Sequence, residues 1–226
     1  MSNTRESHFE HYLLELGIKD EDCHHEFTTG LHGEKLDFDV VTRGTREWDM
    51  WVELSAAETR QIFPGPDAPC LVSIANGTID ITEAIADELN AHGNYETPVL
   101  VAHTEKFVID EQKIVRLSEA AKKLIAFYGI DQVVEIDDAA TTGSTTAMPI
   151  PKLRELGVND IRVLYAWLRN PHLPYLDAQK IQYYGLINEH YLPNYTAEDC
   201  QDHGFCAEDP PRPLIPYVGN SKPKVV

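Results

Sequence analysis

Positively charged residues are scarce in this chain, whose 226 residues include 19 Lys and Arg against 37 Asp and Glu, a formal net charge of −18. A surface of that sign repels the phosphates of nucleic acids and of anionic lipids, so we expect neither as a partner. Long apolar runs are also missing, and none approaches the ~20 residues that cross a bilayer. Residues 1–7 lack the basic and then apolar stretches of a secretory signal. We therefore expect a cytoplasmic protein that does not associate with membranes.

Cysteine is rare as well, and without an export signal we expect no disulfides. The four cysteines are Cys23, Cys70, Cys200 and Cys206. In the tail, Cys200, His203 and Cys206 bring together two thiols and an imidazole, a set that can bind Zn2+. His190 or residues 23–25 would complete the tetrahedron. The alternative is that reduced cysteines pack the tail onto the rest of the chain, and the spacing leaves both interpretations open.

Apolar segments typical of buried strands alternate with amphipathic segments typical of helices. We predict strands at residues 35–41, 70–74, 98–102, 132–136 and 161–167, and helices at residues 9–16, 48–62, 80–90, 117–128 and 144–156. Pro149 and Pro151 predict a kink or a late start in the last helix, and the polar residues 105–116 are predicted to be irregular. The alternation predicts an α/β fold, a parallel twisted sheet with helices on both faces. Ligands of such sheets bind at the carboxyl ends of the strands.

The chain changes character after Trp167, where Pro and Tyr become frequent. Aromatic residues this common are unlike a disordered segment, so we expect an ordered C-terminal appendage. We therefore divide the chain into two parts. Residues 1–168 form an α/β domain that includes an N-terminal segment, and residues 169–226 form an extension that packs on this domain or on a partner subunit.

The most informative segment is residues 133–145. An apolar strand ends in Asp137 and Asp138, and small residues, hydroxyls and one glycine follow before a predicted helix start. The backbone N–H groups and hydroxyls of such a loop can surround a phosphate, and a helix N-terminus adds a favourable dipole. Adjacent carboxylates can hold ribose hydroxyls and a hard cation such as Mg2+. The alternative is a strand and a plain turn, but a turn requires neither the paired acids nor the hydroxyl-rich loop.

This segment resembles the phosphoribosyl pyrophosphate (PRPP) signature of type I phosphoribosyltransferases, an apolar strand, two acidic residues, two variable residues and Thr-Thr-Gly. The resemblance implies a Mg2+-dependent enzyme that transfers ribose 5-phosphate from PRPP to a nitrogenous base and releases pyrophosphate. It implies that Asp137 and Asp138 are catalytic and bind Mg2+. The implied PRPP-binding residues are Asp137, Asp138, Ala139, Ala140, Thr141, Thr142, Gly143, Ser144 and Thr145. The loop after the strand at residues 70–74 matches the family's pyrophosphate loop with Ala75, Asn76, Gly77 and Thr78.

Two further segments resemble the orotate phosphoribosyltransferase branch. Residues 27–33 are similar to its base-binding segment, and residues 195–211 are similar to an ending with two cysteines and prolines in some members. The base-binding residues that we assign are Phe27, Thr29, Gly30 and Lys35. The resemblance implies synthesis of orotidine 5′-monophosphate in pyrimidine biosynthesis, by a homodimer that shares its closing loop across the interface.

Departures from that pattern keep other functions open. Thr28 and Leu31 stand where members often carry Lys and Arg, and Ala147 and Met148 occupy the region of an Arg that often contacts orotate. Because orotate is an anion, other cations would have to substitute. The candidates are Lys35, Arg43 and Arg46.

Residues 103–113, the stretch that matches the family's mobile catalytic loop, are poor in cations. Only Lys106 and Lys113 remain to bind pyrophosphate, and we assign Lys106 a catalytic role, the alternative being an exposed loop lysine. Two other functions therefore stay open. They are a purine-type phosphoribosyltransferase and a non-catalytic PRPP-binding regulatory protein.

Overall fold

The computed structural model describes residues 3–19, 22–27, 30–74, 76–92, 95–109, 112–188 and 191–216. Its helices are α1 Asn3–Glu15, α2 Arg46–Ile62, α3 Ile79–His92, α4 Glu119–Tyr128, α5 Ser144–Ala147, α6 Ile150–Glu155, α7 Pro174–Gln179 and α8 Ala197–His203. Its strands are β1 His24–Glu26, β2 His32–Gly33, β3 Cys70–Ser73, β4 Val101–Ile109, β5 Gln112–Leu117, β6 Gln132–Ala140, β7 Asp160–Leu168, β8 Gln182–Ile187, β9 Asn194–Tyr195 and β10 Leu214–Ile215. Short 3-10 helices lie at Phe38–Val40, Asn76–Thr78 and Phe205–Ala207.

The main sheet has six strands in the order β5-β4-β3-β6-β7-β8. All neighbouring pairs are parallel except β4 and β5, which are antiparallel. Successive residues of β6 face opposite cores: Val134 packs with side chains of α1, α2 and α3, and Val133 packs with side chains of α4, α6 and α7. The predicted α/β fold with helices on both faces of a largely parallel sheet is therefore confirmed.

Local sequence signals mark several helix ends. The Thr45 hydroxyl accepts a hydrogen bond from the Trp48 N–H at the start of α2, and the Ser118 hydroxyl does the same for Ala121 at the start of α4. Such caps satisfy N–H groups that have no partner within the helix. The predicted break in residues 144–156 is confirmed, because Pro149 separates α5 from α6.

Two predictions about secondary structure are wrong. Within the range 105–116 that was predicted to be irregular, residues 105–109 and 112–116 are strands, since β4 and β5 form a paired arm that runs from Thr104 opposite Leu117 to Ile109 opposite Gln112. Cross-strand pairing outweighs the polar composition there. Residues 35–41 do not form a strand, because Asp37 accepts a hydrogen bond from the Asp39 N–H at the start of the first 3-10 helix. Such local side-chain bonds compete with strand pairing.

The ends of the chain meet in a second, four-stranded sheet with the order β10-β1-β2-β9. The C-terminal strands β9 and β10 thus flank the N-terminal hairpin β1–β2. In contrast, β8 lies beyond residue 168 and pairs with β7 in the main sheet. The division of the chain at residue 168 stays a prediction.

Within the described ranges, none of the helices has the length and apolar character that crossing a bilayer requires.

Candidate active site

The acidic pair lies at the carboxyl end of the central strand β6. Asp137 is opposite Tyr165 of β7, and Ile136 just before it is opposite Ser73 of β3. Both carboxylates are partly buried. Because β6 has a parallel neighbour on each side, the loops after three strands meet at this edge, where α/β sheets bind ligands.

The loop at residues 141–145 turns sharply at Gly143, whose φ is +73°. Glycine adopts this left-handed conformation without the penalty that a Cβ brings. Thr146 stabilises the turn, because its hydroxyl donates to the Gly143 carbonyl oxygen and lies 2.5 Å from the Tyr165 hydroxyl. The helix that follows, α5, has only four residues, so the expected helix dipole is small and backbone N–H groups and hydroxyls are the main phosphate ligands on offer.

The acidic pair and this loop line one open cavity of about 460 Å³. The remaining lining residues come from the N-terminal segment, the β4–β5 arm, β7 and the tail. The full lining is His25, Glu26, Phe27, Lys35, Leu36, Lys113, Asp137, Asp138, Ala139, Ala140, Thr141, Thr142, Gly143, Ser144, Thr145, Thr146, Tyr165, Arg169 and Pro216. Every residue predicted to bind PRPP between Asp137 and Thr145 is in this set.

The carboxylates at this site repel one another. Burial and the charge of Asp138 raise the pKa of Asp137 well above its usual value, and burial also raises the pKa of Asp138. The positive charge of Lys113 lowers the pKa of both carboxylates and so partly offsets these shifts. The two adjacent carboxylates face a cavity, and nearby cations neutralise them only in part. Such a pair of oxygen donors suits a hard divalent cation, so the residues fit Mg2+.

Glu135 lies behind the pair in the same strand and is fully buried. Among the described residues, neither of its carboxylate oxygens has a hydrogen-bond partner. Burial, followed by the charge of Asp137, raises the pKa of Glu135 well above its usual value. This residue was not predicted as part of the site, since a single Glu inside an apolar strand carries no distinctive signal.

The β4–β5 arm brings Lys113 to the phosphate loop, where its Nζ donates to Thr145 Oγ1 at 3.3 Å. Lys106 is opposite Val115, and Lys113 is two residues before Val115. The alternation of strand side chains therefore places both lysines on the same face of the arm. Partial burial, and then the charge of Lys113, lowers the pKa of Lys106. Much of the Lys106 side chain nevertheless remains accessible to solvent, and Lys106 does not line the cavity.

The same cavity also carries an aromatic ring and two further cations. Phe27 and Lys35 line it as predicted, and the guanidinium carbon of Arg169 lies 4.8 Å from the centre of the Phe27 ring. Thr29 lies outside the described residues, and Gly30 sits exposed in the β1–β2 turn, away from the cavity lining.

Arg169 was missed by the sequence analysis. Its side chain is buried and donates to the Glu34 carbonyl oxygen and to Asn194 Oδ1. Burial lowers the pKa of Arg169 to about 10, although the charges of Glu34 and Asp138 act against this shift. The only available signal was its position directly after an apolar strand of a parallel sheet.

The predicted pyrophosphate loop follows β3, next to the acidic pair. Ala75 lies outside the described residues, and Asn76, Gly77 and Thr78 form a 3-10 turn. The Thr78 hydroxyl donates to the Ile74 carbonyl oxygen and is buried, whereas a Cβ on Gly77 would meet no atom within 4 Å. The turn therefore leaves open space beside Gly77, but it is not part of the cavity lining.

The tail cysteines meet two histidines of the N-terminal hairpin. The metal-binding atoms of His24, His32, Cys200 and Cys206 all lie within 4.8 Å of one another. The predicted ligand His203 is not in this group, because it lies exposed in the last turn of α8. The prediction of His203 is therefore corrected, and the imidazoles come from the other end of the chain.

No model of a protein family matches the chain, and no curated protein sequence does so either. Solved structures do match. Orotate phosphoribosyltransferase from Aeropyrum pernix superimposes with a TM-score of 0.57 at 15% identity, covering 78% of this chain and 91% of that one. The fold is that of the type I phosphoribosyltransferases.

Two further structures have the same fold. Orotate phosphoribosyltransferase from Mycobacterium tuberculosis H37Rv gives a TM-score of 0.51 at 15% identity, covering 81% of this chain and 95% of that one. Adenine phosphoribosyltransferase from Saccharomyces cerevisiae gives a TM-score of 0.51 at 12% identity, covering 80% of this chain and 99% of that one. At these identities the likeness concerns the fold, and it does not distinguish pyrimidine from purine substrates.

Proposed function

We propose that this protein is a phosphoribosyltransferase that transfers ribose 5-phosphate from PRPP to a nitrogenous base, most specifically orotate. One observation carries the proposal: the acidic pair and the hydroxyl-rich loop line the same cavity as an aromatic ring and three cationic side chains. Such a cavity offers separate places for a phosphate, a ribose with its cation and a planar base.

In this proposal the loop at residues 141–145 holds the 5′-phosphate, while Asp137 and Asp138 hold the ribose hydroxyls. Mg2+, bound by the same carboxylates, would act as a Lewis acid on the leaving group. The bond from the ribose C1 to the pyrophosphate oxygen breaks, and a bond from C1 to the base nitrogen forms. Positive charge develops on the ribose ring and negative charge on pyrophosphate, so positioning and electrostatics supply the catalysis.

The β4–β5 arm supplies the cations for the leaving group. Lys113 already contacts the phosphate loop, and Lys106 lies on the same face of the arm. We propose that Lys106 joins Lys113 on pyrophosphate when the arm closes. The turn at Asn76–Thr78 offers backbone N–H groups to the same leaving group.

The choice of orotate follows from charge. Lys35 and Arg169 line the same cavity as Phe27, the Arg169 guanidinium lies against the Phe27 ring, and that ring is one on which a base can stack. A carboxylate on the base would be attracted by these cations, whereas a neutral purine would not. These residues would therefore take the place of the cations that the family pattern leads one to expect elsewhere.

We also propose that the protein is a homodimer. Three consecutive apolar residues of the arm, Phe107, Val108 and Ile109, are 42%, 48% and 47% exposed. Exposed apolar clusters of this kind mark interaction surfaces. Sedimentation would show a dimer, and a monomer at all concentrations would rule this part out.

The test is pyrophosphate release with PRPP, Mg2+ and one base at a time from orotate, uracil, adenine, guanine, hypoxanthine and xanthine. We expect turnover with orotate and none with uracil, which differs only in the missing carboxylate. Lys35→Gln should raise KM for orotate and leave KM for PRPP unchanged, while Arg43→Gln, outside the cavity lining, serves as the control.

Other outcomes each have a defined meaning. Turnover with a purine alone would replace orotate by the purine-type function. Binding of PRPP and Mg2+, seen as a rise in Tm, without turnover of any base would indicate the non-catalytic PRPP-binding protein. Absence of both binding and turnover would contradict the proposal as a whole.

A further inference from the structure

A second cluster of reactive side chains lies outside the cavity, where the two ends of the chain meet. His24 belongs to β1 and His32 to β2, Cys200 lies in α8 and Cys206 in the 3-10 helix after it. His24, His32 and Cys200 are buried, and Cys206 is partly buried. The proposed transferase chemistry uses none of the four.

The distances within the cluster fit a single metal ion. His24 Nε2 is 3.2 Å from Cys206 Sγ, Cys200 Sγ is 3.4 Å from Cys206 Sγ, and His32 Nδ1 is 3.8 Å from Cys206 Sγ. Zinc bonds of ~2.3 Å to sulfur and ~2.0 Å to nitrogen, set at tetrahedral angles, separate neighbouring ligand atoms by about 3.3–3.8 Å. The three distances to Cys206 Sγ are close to this range, and all four ligand atoms lie within 4.8 Å of one another, so small side-chain adjustments would bring them around one ion.

The burial of the cluster points the same way. His24 is 0% and His32 is 5% exposed, so both imidazoles, which lie beside Cys206 Sγ, are shielded from solvent. Buried charges are costly unless they are neutralised. Two thiolates, two neutral imidazoles and one Zn2+ carry no net charge, so a metal would satisfy the cluster without burying a charge.

A disulfide is the competing explanation, since all four cysteines are free in the structure and the Cys200 and Cys206 sulfurs are close. A disulfide would leave both buried imidazoles without a role. A disulfide would also not explain why His24 of β1 and His32 of β2 both approach the sulfur atom of Cys206.

We propose that His24, His32, Cys200 and Cys206 bind one structural Zn2+ that ties the C-terminal tail to the N-terminal hairpin. The site joins residues 174 positions apart in the chain, and closing so long a loop restricts the unfolded chain strongly. The hairpin it holds carries Phe27, which packs against Gly33 so closely that a Cβ there would lie 2.7 Å from the ring. The zinc would thereby keep one wall of the cavity in place, a consequence that rests on the proposed function, although the metal site itself does not.

The first test measures zinc in the full-length wild-type protein, purified under reducing conditions after growth with added zinc. We expect one zinc per chain by elemental mass spectrometry. Replacement by Co2+ should produce the visible absorption of a tetrahedral ion together with thiolate-to-cobalt charge transfer. Both readouts use the native sequence, so they do not depend on whether a variant folds, and neither depends on transferase activity.

The second test compares variants. Cys206→Ser and His32→Ala should each lose most of the bound zinc and lower Tm. His203→Ala should retain it, because that imidazole is exposed, and so should Cys23→Ser, whose thiol is outside the cluster. A wild-type protein that takes up neither Zn2+ nor Co2+ under reducing conditions would overturn the proposal. A Cys200–Cys206 disulfide found in such metal-free protein, or loss of zinc in His203→Ala equal to that in Cys206→Ser, would overturn it too.

Discussion

Lys113 of β5 donates a hydrogen bond to the Thr145 hydroxyl at 3.3 Å, so the antiparallel arm at the edge of the sheet touches the loop that follows its central strand. The two residues belong to segments that are 32 positions apart. The arm thus supplies positive charge to the cavity of a protein whose net charge is −18, at the loop that we propose binds the phosphate of PRPP. This contact leads to the first prediction.

Lys113→Gln should raise KM for PRPP by about tenfold to a hundredfold, because hydrogen bonds to charged groups contribute about 1.5–3 kcal/mol. Steady-state kinetics at fixed base concentration would measure the change. Arg116→Gln is the matched control, since Arg116 lies on the same strand, is exposed and points to the opposite face. Equal effects of the two variants would mean that the arm acts only through overall charge.

Asp138→Asn should lower kcat by about a hundredfold or more without reducing the Tm of the free protein. The pKa of Asp138 is raised by burial, so a neutral amide of the same shape relieves repulsion with Asp137 instead of adding strain. Scanning fluorimetry with and without PRPP and Mg2+ would separate the two effects. Asp131→Asn, at an exposed position just before the same strand, should leave both turnover and ligand-induced stabilisation intact.

Gly143→Ala should destabilise the protein by about 1–2 kcal/mol and weaken PRPP binding. Its φ of +73° is strained for any residue with a Cβ, and that Cβ would lie 3.0 Å from Leu176 Cγ. Gly129→Ala introduces a similar strain at φ +61° in open space, far from the cavity lining. It should therefore lower stability and leave PRPP affinity unchanged, as urea unfolding and calorimetry would show.

Glu135→Gln should stabilise the protein increasingly as the pH rises. Because burial raises the pKa of Glu135 in the folded state, the folded wild type binds this proton more tightly than the unfolded chain does. The stability that protonated Glu135 contributes to the wild type is fully present below the unfolded pKa of about 4.3. It is lost as the pH rises through the folded pKa. Because Gln stays neutral, the variant avoids that loss. The difference in free energy of unfolding between the variant and the wild type should therefore widen by about 1–2 kcal/mol as the pH rises.

Unfolding titrations without metal or ligand, at a series of pH values from about 5 upward, would measure the difference between these two proteins. A gap that stays constant with pH would show that Glu135 is ionised in the folded protein.

The amino-acid sequence determined the features that depend on local patterns. Apolar runs bounded by turns predicted the parallel strands, and the prolines after Ala147 predicted the break between α5 and α6. The paired aspartates before small hydroxyl residues predicted a group of side chains that line one cavity at the edge of the sheet. These signals are readable because side chains within a few residues of one another dictate the backbone there.

Tertiary structure decided what depends on segments distant in the chain. The arm exists because β5 pairs with β4, Arg169 reaches the cavity because β7 lies beside β6, and His24 and His32 meet the tail cysteines because β9 and β10 flank the N-terminal hairpin. No local sequence pattern predicts that these distant segments come into contact. These contacts result from burying apolar faces and pairing strand edges across the whole molecule. This is why the sequence offered His203 together with residues 23–25, and the fold brought only His24 of these, with His32, to the cysteines.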